Sequence, residues 1–485
     1  MRYLDLAVIL VYLIGITWFG AQFRHRQRSL KDYFLGGREA PWWAIAFSIV
    51  SAETSTLTII GTPALSFNGN LGFLQVVLGY LVARIIISVL FLPHYFRGEL
   101  YTAYELMQRR FGQRIRKWTA GTFLVLRALA EGVRVFAISI VVSIVLGTGE
   151  FASLALIVCL TLFYTFEGGM TAVIWTDVVQ MFLYVAGAIV SFLVLLDKIP
   201  GGLHHVLLAA SEAGKLRIFD FSFDWTRQYF ATPYNFWAGL IGGTFLTTAS
   251  HGTEQLMVQR LLAARNQRES RLALFTSWAV ICFQFTLFLF IGLALWVYYR
   301  QNALTAPQPA DRIYPQFIWN HLPPAAAGLV IAAILAAAMS NLSAALNSLA
   351  STSVMDFLRP HLPARDENDF LRLARYATLL WGVVLLGVGL LARNWGSVLE
   401  AGLSIASILY GGLLGVFLLG LLTRQATETG ALIGMLAGFA AMLAVKATNF
   451  VAWTWFVLIG STVTFSVGYA ASLMVRREVY ESAPK

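Results

Sequence analysis

Residues 41–67 read PWWAIAFSIVSAETSTLTIIGTPALSF, a segment that is apolar at both ends and polar in the middle. It is longer than the roughly 20 residues that an apolar helix needs to cross a bilayer. Its centre, from Ser51 to Thr58, carries one carboxylate and five hydroxyl groups. Lipid cannot satisfy charged or unbonded polar groups, so such a centre is tolerated only inside protein or beside a wet cavity. The pattern predicts a transmembrane helix that is interrupted at a binding site.

The hydroxyl groups of this centre share one helical face, because Ser51, Thr54, Ser55 and Thr58 follow the spacing i, i+3, i+4 and i+7. Hydroxyl oxygens suit a hard monovalent cation or a hydroxyl-bearing solute, whereas zinc and copper prefer His and Cys. The alternative is that these side chains bond back to their own helix or join neighbouring helices. Glu53 favours the binding site, since carboxylates inside a membrane are rare.

The composition is that of an integral membrane protein. Of 485 residues, 58% are hydrophobic and 12% are charged, and the mean hydropathy is +0.69. Cys159 and Cys282 provide neither a disulfide framework nor a metal-binding spacing. The net charge of +10 comes from residues scattered over short loops, which indicates membrane topology and not nucleic-acid binding. The first apolar stretch is too long for a cleavable signal peptide, so we expect a retained helix.

Hydropathy predicts about thirteen transmembrane spans. The predicted spans are 2–23, 41–66, 70–96, 117–147, 150–167, 169–197, 234–262, 271–300, 322–357, 371–393, 397–422, 427–447 and 450–474. If the N-terminus is outside the cell, the loops that fall inside hold most of the 35 Lys and Arg residues. The positive-inside rule therefore predicts an external N-terminus and a cytoplasmic C-terminus in the cell membrane.

A second polar centre lies about 195 residues after the first, and each centre opens a set of about five spans. It contains Gly242 and Gly243, followed by a polar run from Thr247 to Gln255 that includes Ser250 and His251. Inverted repeats of five helices whose first helices are broken bring both breaks to the membrane midplane. We therefore expect an all-α membrane fold with a 5+5 inverted repeat and broken first and sixth core helices. The expected parts are a leading helix at 2–23, repeats at about 41–197 and 234–422, and peripheral helices at about 427–474.

Three charged residues of one later span, Arg127, Glu131 and Arg134, form a stripe with one excess positive charge. Such a stripe either neutralises itself or receives an anionic group of a solute. Asp177, about two turns into another span, requires a cation, a hydroxyl network or an arginine as its partner. His251 is more often a structural histidine than a proton relay.

Four segments together resemble the sodium:solute symporter family, whose members share the LeuT-like inverted-repeat fold. They are FLGGR at 34–38, GGMTAVIWTD at 168–177, EQLMVQRLLAARN at 254–266 and LNS at 346–348. The resemblance implies sodium-coupled import of a small polar solute by alternating access, with sodium as the coupling ion and no enzyme activity. The implied partners are the solute, sodium and the lipid bilayer, and no oligomer is implied.

The resemblance also implies a sodium site. Its ligands are the backbone carbonyls of Ser51, Thr54 and Ala337 and the side chains of Ser340 and Asn341. The family usually has Ser or Thr where this chain has Asn341, whose amide oxygen has a different reach.

Some family members hold a second sodium ion. The resemblance implies that the matching positions in this chain are Asp177, Ser340, Ser343 and the residue after Ser343. The position that follows Ser343 is Ala344, which has no hydroxyl group. We therefore expect one sodium ion per transport cycle.

For the solute, the resemblance favours a carboxylated or zwitterionic molecule, because Arg127 lies near the position at which sialic-acid-transporting relatives hold a carboxylate. The aromatic gate and amide of sugar-transporting members are replaced by Ser250 and Thr247. A sugar or polyol stays an alternative. The candidate solute-binding residues are Glu53, Ser55, Thr58, Gln75, Arg127, Thr247, Ser250 and His251.

Two further alternatives remain open from the residues. Proton coupling could proceed through Glu53, Asp177 or His251, the three titratable groups of the predicted site. An intramembrane enzyme or sensor is disfavoured, because the chain has no HExxH motif and no paired nucleophile and base motif.

Overall fold

The computed structural model describes residues 3–23, 29–98, 100–146, 149–307, 310–362, 366–392, 398–448 and 450–481. These residues are almost entirely helical, and their one β-type pairing is an isolated bridge between Ala40 and Ala264. The helices are α1 (Tyr3–Ala21), α2 (Leu30–Leu35), α3 (Trp42–Glu53), α4 (Thr56–Asn68), α5 (Leu74–Ile86), α6 (Leu92–Tyr95), α7 (Ala103–Arg110), α8 (Gln113–Leu146), α9 (Glu150–Asp197), α10 (Gly202–Glu212), α11 (Arg227–Ala231), α12 (Phe236–Gly252), α13 (Gln255–Leu262), α14 (Gln267–Gln301), α15 (Ile313–His321), α16 (Ala326–Thr352), α17 (Glu367–Ala392), α18 (Val398–Leu422), α19 (Glu428–Thr448) and α20 (Phe456–Glu481).

Among the described residues, nine helices are long and apolar enough to cross a membrane, and the bent pair α3 and α4 makes a tenth span. The helices of the other three predicted spans are also present. α8 is 34 residues long but carries a charged stripe. α9 contains two of the predicted spans, which meet at Gly169 with a φ of 53°. The third is the pair α12 and α13, which is interrupted by polar residues.

The first predicted helix break is confirmed. α3 ends at Glu53 and α4 begins at Thr56, and the two helices are bent by 65° relative to each other. Thr54 and Ser55 between them have extended backbones, with ψ angles of 106° and 165°. The Ser55 hydroxyl accepts a hydrogen bond from the Thr58 N–H at 3.3 Å, which caps the start of α4. The Thr58 hydroxyl in turn accepts from the Ser55 N–H at 3.3 Å, so two of the hydroxyl groups that mark the break in the sequence also stabilise it.

The second break is also present, and it falls near the end of the predicted polar run. Residues 247–252 are continuous helix, and the interruption falls at Thr253 and Glu254, between α12 and α13. The Gly252 carbonyl at the end of α12 accepts a hydrogen bond from the Tyr95 hydroxyl. This bond satisfies one of the carbonyl groups that a helix end leaves without an intrahelical donor.

Gly242 and Gly243, which were expected at the interruption, lie inside α12, where they permit close packing. A Cβ atom at position 243 would stand 2.3 Å from the Val76 carbonyl oxygen on α5. In the other direction, a Cβ atom at Gly79 would stand 2.4 Å from the Leu240 oxygen on α12. The glycines therefore let two helix backbones touch, as small residues do at membrane helix interfaces.

The C-terminal end of α4 is held by a lysine from the loop after α10. The Lys215 ammonium donates to the carbonyl oxygens of Ser66, Phe67 and Gly69 at 3.3, 2.9 and 2.7 Å. A cation at a helix C-terminus complements both the unbonded carbonyls and the helix dipole. Partial burial lowers the pKa of Lys215.

Candidate functional site

A cavity of 190 Å³ lies where the two helix breaks meet. Its lining contains seven of the eight predicted solute-binding residues, which are Glu53, Ser55, Thr58, Arg127, Thr247, Ser250 and His251. Aromatic side chains of Phe73, Tyr80, Tyr234 and Phe285 also line it. The cavity thus combines an apolar wall with a few polar groups, which is typical of small-molecule sites.

Gln75, the eighth predicted solute-binding residue, is not part of the lining of this cavity. Its amide nitrogen donates to the carbonyl oxygens of Gly72 at 3.1 Å and Tyr234 at 3.2 Å. Its amide oxygen accepts from the Asp220 N–H at 3.0 Å. The buried side chain therefore fastens α5 to the segments on either side of α11 by satisfying backbone groups.

One charged cluster surrounds Glu53 at the first break. Its Oε2 atom accepts from Arg84 Nη2 at 2.8 Å and lies 3.3 Å from His251 Nε2. Arg84 is fully buried, whereas Glu53 keeps 12% of its side chain exposed. The other ring nitrogen of His251 lies 2.8 Å from the Ser250 hydroxyl. Arg84 is thus a buried counter-ion, whereas Glu53, Ser250 and His251 reach the cavity.

A second cluster joins the stripe on α8 to the second break. Arg127 donates from Nε to Glu254 Oε1 at 2.7 Å and from Nη1 to Glu131 at 3.2 Å. Arg134 pairs with the same Glu131 at 3.1 Å and keeps 27% of its side chain exposed. The Tyr410 hydroxyl donates to the other oxygen of Glu254.

These contacts change the expected role of Arg127. Glu254 supplies the negative charge that balances the excess positive charge of the stripe. The Arg127 guanidinium forms ion pairs with both Glu254 and Glu131. Arg127 itself is only 4% exposed. Arg134, which the sequence placed in the charged stripe but not among the eight solute-binding residues, is the more accessible guanidinium group on the cavity wall.

The first break presents two backbone carbonyls to α16. The side-chain nitrogen of Asn341 donates to the Thr54 oxygen at 2.5 Å and to the Ser51 oxygen at 3.3 Å. The hydroxyl groups of Ser51 and Ser340 lie 2.6 Å apart. Ala337 precedes Asn341 by one turn on the same helix. The structure therefore brings the first break against the part of α16 that carries the other predicted sodium ligands.

Asp177 has an arginine as its partner. Its Oδ2 atom accepts from Arg260 Nη2 at 2.8 Å and from the Ser48 hydroxyl at 2.5 Å. Its Oδ1 atom accepts from the Ser340 hydroxyl at 2.6 Å. Because Ser340 donates its only hydroxyl proton to Asp177, the Ser51 hydroxyl must donate to Ser340. A directed chain of hydrogen bonds therefore runs from the first break to Asp177 and Arg260.

Ser343, at the expected second cation position, is bonded within its own helix. Its hydroxyl donates to the Ser340 carbonyl of its own helix at 3.0 Å, which is the back-bonding alternative for a serine within a helix. Arg260 already supplies a positive charge to Asp177. In the part of the chain that the structure describes, no group of three or more His, Cys, Asp or Glu residues could hold a metal ion.

The sequence patterns missed Arg260 and Glu254 as functional candidates. Arg260 and Glu254 lie within the EQLMVQRLLAARN segment. The sequence therefore marked them as part of a family motif but assigned neither residue a role. Gln284 was also missed, although its amide nitrogen donates to the Thr54 hydroxyl at 2.8 Å. These side chains acquire roles only through partners on other helices.

Comparison with known proteins decides the family. The model of the sodium:solute symporter family matches residues 33–438. The chain belongs to the sodium:solute symporter family. Membership makes it a sodium-coupled transporter and not an enzyme, and it confirms the family resemblance of the four motifs.

Individual relatives of this symporter-family chain agree. It is 28% identical to the sodium/sialic acid symporter NanT of Aliivibrio fischeri, over 98% of this chain and 94% of that protein. It is 30% identical to the mouse sodium-coupled monocarboxylate transporter 1, over 86% of this chain and 68% of that protein.

Solved structures confirm the predicted fold class. The substrate-bound, outward-open structure of a Na⁺-coupled sialic acid symporter superimposes with a TM-score of 0.88 at 26% identity, covering 97% of this chain and 98% of that one. A transporter of the nucleobase-cation-symport-1 family matches with a TM-score of 0.62 at 13% identity, covering 92% of this chain and 94% of that one. The symporter-family chain therefore has the LeuT-like fold.

Proposed function

We propose that this chain couples the inward movement of sodium to the import of a small carboxylated or zwitterionic solute by alternating access. One observation carries the proposal. The same break, at residues 53–55, presents the Thr54 carbonyl to α16 and the side chains of Glu53 and Ser55 to the cavity. A cation at the carbonyls and a solute in the cavity then favour the same backbone geometry, which is what coupling requires.

The proposed sodium ligands are the carbonyls and side chains named from the family resemblance. They are Ser51, Thr54, Ala337, Ser340 and Asn341. The contacts of Ser51, Thr54, Ser340 and Asn341 with one another support this assignment. The pairing of Asp177 with Arg260 supports a single sodium ion per cycle, because the arginine already neutralises that carboxylate.

The charges of the cavity support a solute with a carboxylate. The two clusters contain three carboxylates, of Glu53, Glu131 and Glu254, and three guanidinium groups that pair with them. Arg134 is the most exposed of these guanidinium groups, so we propose that it binds the carboxylate of the solute. Glu53, which is partly exposed, then faces a hydroxyl or ammonium group of the same solute. Relatives that carry sialic acid and monocarboxylates agree with this class.

We also propose the orientation expected from the basic loops, with the N-terminus outside and the C-terminus in the cytoplasm. In this orientation α4 and α12 form the outer halves of the two broken helices, and α3 and α13 form the inner halves. Residues 41–197 and 234–422 are then the two inverted repeats.

Uptake by purified protein in proteoliposomes tests the function. Radiolabelled sialic acid, lactate and alanine are offered under an inward sodium gradient, with choline replacing sodium in the control. At least one carboxylate should accumulate with sodium and fail to accumulate with choline. Accumulation that follows an inward proton gradient without sodium would overturn the proposal in favour of proton coupling.

A further inference from the structure

The side-chain amide of Asn341 occupies the point on which two backbone carbonyls of the first break converge. Its nitrogen lies 2.5 Å from the Thr54 oxygen and 3.3 Å from the Ser51 oxygen. Both residues and the amide are buried. A hard cation of similar size to Na⁺, such as Ca²⁺, binds oxygen at roughly 2.3–2.6 Å. An ion that bridges the two carbonyls would therefore lie within bonding distance of the amide nitrogen, which is a donor and cannot bind it.

The orientation of this amide is fixed by chemistry. The two carbonyl oxygens only accept hydrogen bonds, so the group that faces them must be the nitrogen and not the amide oxygen. The converse holds when a cation lies between the carbonyls, because a cation attracts the amide oxygen and repels the N–H groups. Asn341 thus has two arrangements at this point, related by rotation of its amide group, and only one of them admits sodium.

We propose that Asn341 is an internal competitor of sodium, whose N–H groups hold the Ser51 and Thr54 carbonyls until the ion displaces them. The proposal rests on sodium coupling as the function of the chain. Sodium binding must break two hydrogen bonds that a serine or threonine at this position would not make. Each net hydrogen bond corresponds to a factor of roughly 2–12 in an equilibrium constant. The competition therefore weakens sodium binding by roughly 5- to 140-fold.

The competition also keeps the first break in one shape when sodium is absent from the surrounding solution. The amide on α16 contacts the carbonyl oxygens of Ser51, in α3, and Thr54, just after α3. A cation at this point would join the same two carbonyls to α16. Buried carbonyls at a helix end require such a donor. Asn341 supplies it, so the break keeps its polar contacts in both arrangements.

The experiment measures sodium affinity directly, without transport. Purified wild type, Asn341→Ser and Asn341→Asp are titrated with sodium chloride against choline chloride at constant ionic strength, and the thermal unfolding midpoint is recorded. Both variants remove the N–H donors and keep an oxygen ligand. The sodium concentration for half-maximal stabilisation should fall by roughly 5- to 140-fold in Asn341→Ser and at least as far in Asn341→Asp.

The matched control is Asn347→Ser, which removes a second buried amide from the same helix. The Asn347 nitrogen contacts the Met170 sulfur at 3.3 Å and no carbonyl of the break. This variant should keep the sodium affinity of the wild type. An unchanged or weaker sodium affinity in Asn341→Ser, or an equal gain in Asn347→Ser, would overturn the proposal.

Asn341→Asp, which has the size of asparagine, decides the matter if Asn341→Ser does not fold. If the wild type responds to sodium and the variants bind sodium no more tightly, the competition is refuted but sodium coupling is not. Wild type and variants that all ignore sodium would refute sodium coupling as well. A sodium response that appears only in the variants supports the competition in its strongest form.

Discussion

Removal of the Arg260 side chain should destabilise the protein more than removal of Arg260 and the Asp177 charge together. Arg260 and Asp177 are 1% and 0% exposed and lie 2.8 Å apart. Arg260→Met leaves the carboxylate buried with only the hydroxyl groups of Ser48 and Ser340 as donors. An uncompensated buried charge costs about 3–5 kcal/mol.

In the double variant Arg260→Met with Asp177→Asn, no charge is stranded. Ser48 and Ser340 donate to different oxygens of Asp177, and asparagine offers only one oxygen, so one hydroxyl keeps an uncharged acceptor and the other faces the amide nitrogen. This costs about 1–2 kcal/mol at the value of one or two net hydrogen bonds. The double variant should therefore recover about 2–3 kcal/mol relative to Arg260→Met, since the larger cost of the single variant is the stranded charge.

The assay is a double-mutant cycle on the unfolding of purified protein in detergent. The control is Arg265→Met, because Arg265 is exposed and donates only to the Glu39 carbonyl at 3.2 Å. This control should change stability by less than about 0.5 kcal/mol. The reasoning would be refuted by an Arg260→Met variant that is as stable as the wild type, or by a double variant that is no more stable than Arg260→Met.

Three other changes test separate parts of the structure. Ser340→Ala should raise the sodium concentration for half-maximal thermal stabilisation by about tenfold, because it removes a hydroxyl oxygen that we propose as a sodium ligand and that contacts Ser51 and Asp177; an unaltered concentration would contradict its role. Gly243→Ala should lower the unfolding midpoint, because its Cβ would stand 2.3 Å from the Val76 oxygen, whereas Gly387→Ala, which meets nothing within 4 Å, should leave the midpoint unchanged. Lys215→Met should speed amide hydrogen exchange in the last turn of α4, since its ammonium bonds three carbonyls there; equal exchange rates would show that the lysine is dispensable.

The first break could be predicted from the sequence because its cause is local. A carboxylate and five hydroxyl groups within eight residues cannot be exposed to lipid, whatever the rest of the chain does. The capping of α4 by Ser55 follows from the same residues. Most of the cavity lining could be predicted for a related reason, since polar residues near mid-span are tolerated only beside a cavity or inside protein.

Of the second predicted polar centre, Thr253 and Glu254 form the break, whereas Gly242 and Gly243 lie inside a continuous helix. Gly242 and Gly243 weaken a helix in the sequence, but they also allow α5 to approach, and the packing prevails here. The actual break, at Thr253 and Glu254, carries a charge whose partner Arg127 lies 127 residues away. Helical periodicity shows which face a residue occupies and does not show which side chain lies opposite.

The same limit explains the partners that were missed. Asp177 requires a partner by its burial, and the sequence leaves a cation, hydroxyl groups or an arginine open. Only the packing of α13 against α3 brings Arg260 to Asp177 and Ser48. Gln75 looks like a solute ligand in the sequence because it is polar within a span, and the structure shows its amide bonded to three backbone groups.

The affinity of the cavity for a transported carboxylate, with and without sodium, tests the central claim most directly. The claim is that one helix break holds both the cation and the solute. Isothermal titration of the purified protein with the carboxylate found by the uptake assay should give a lower Kd in sodium chloride than in choline chloride, and the carboxylate should raise the sodium affinity by the same factor. An identical Kd in the two salts would contradict the account.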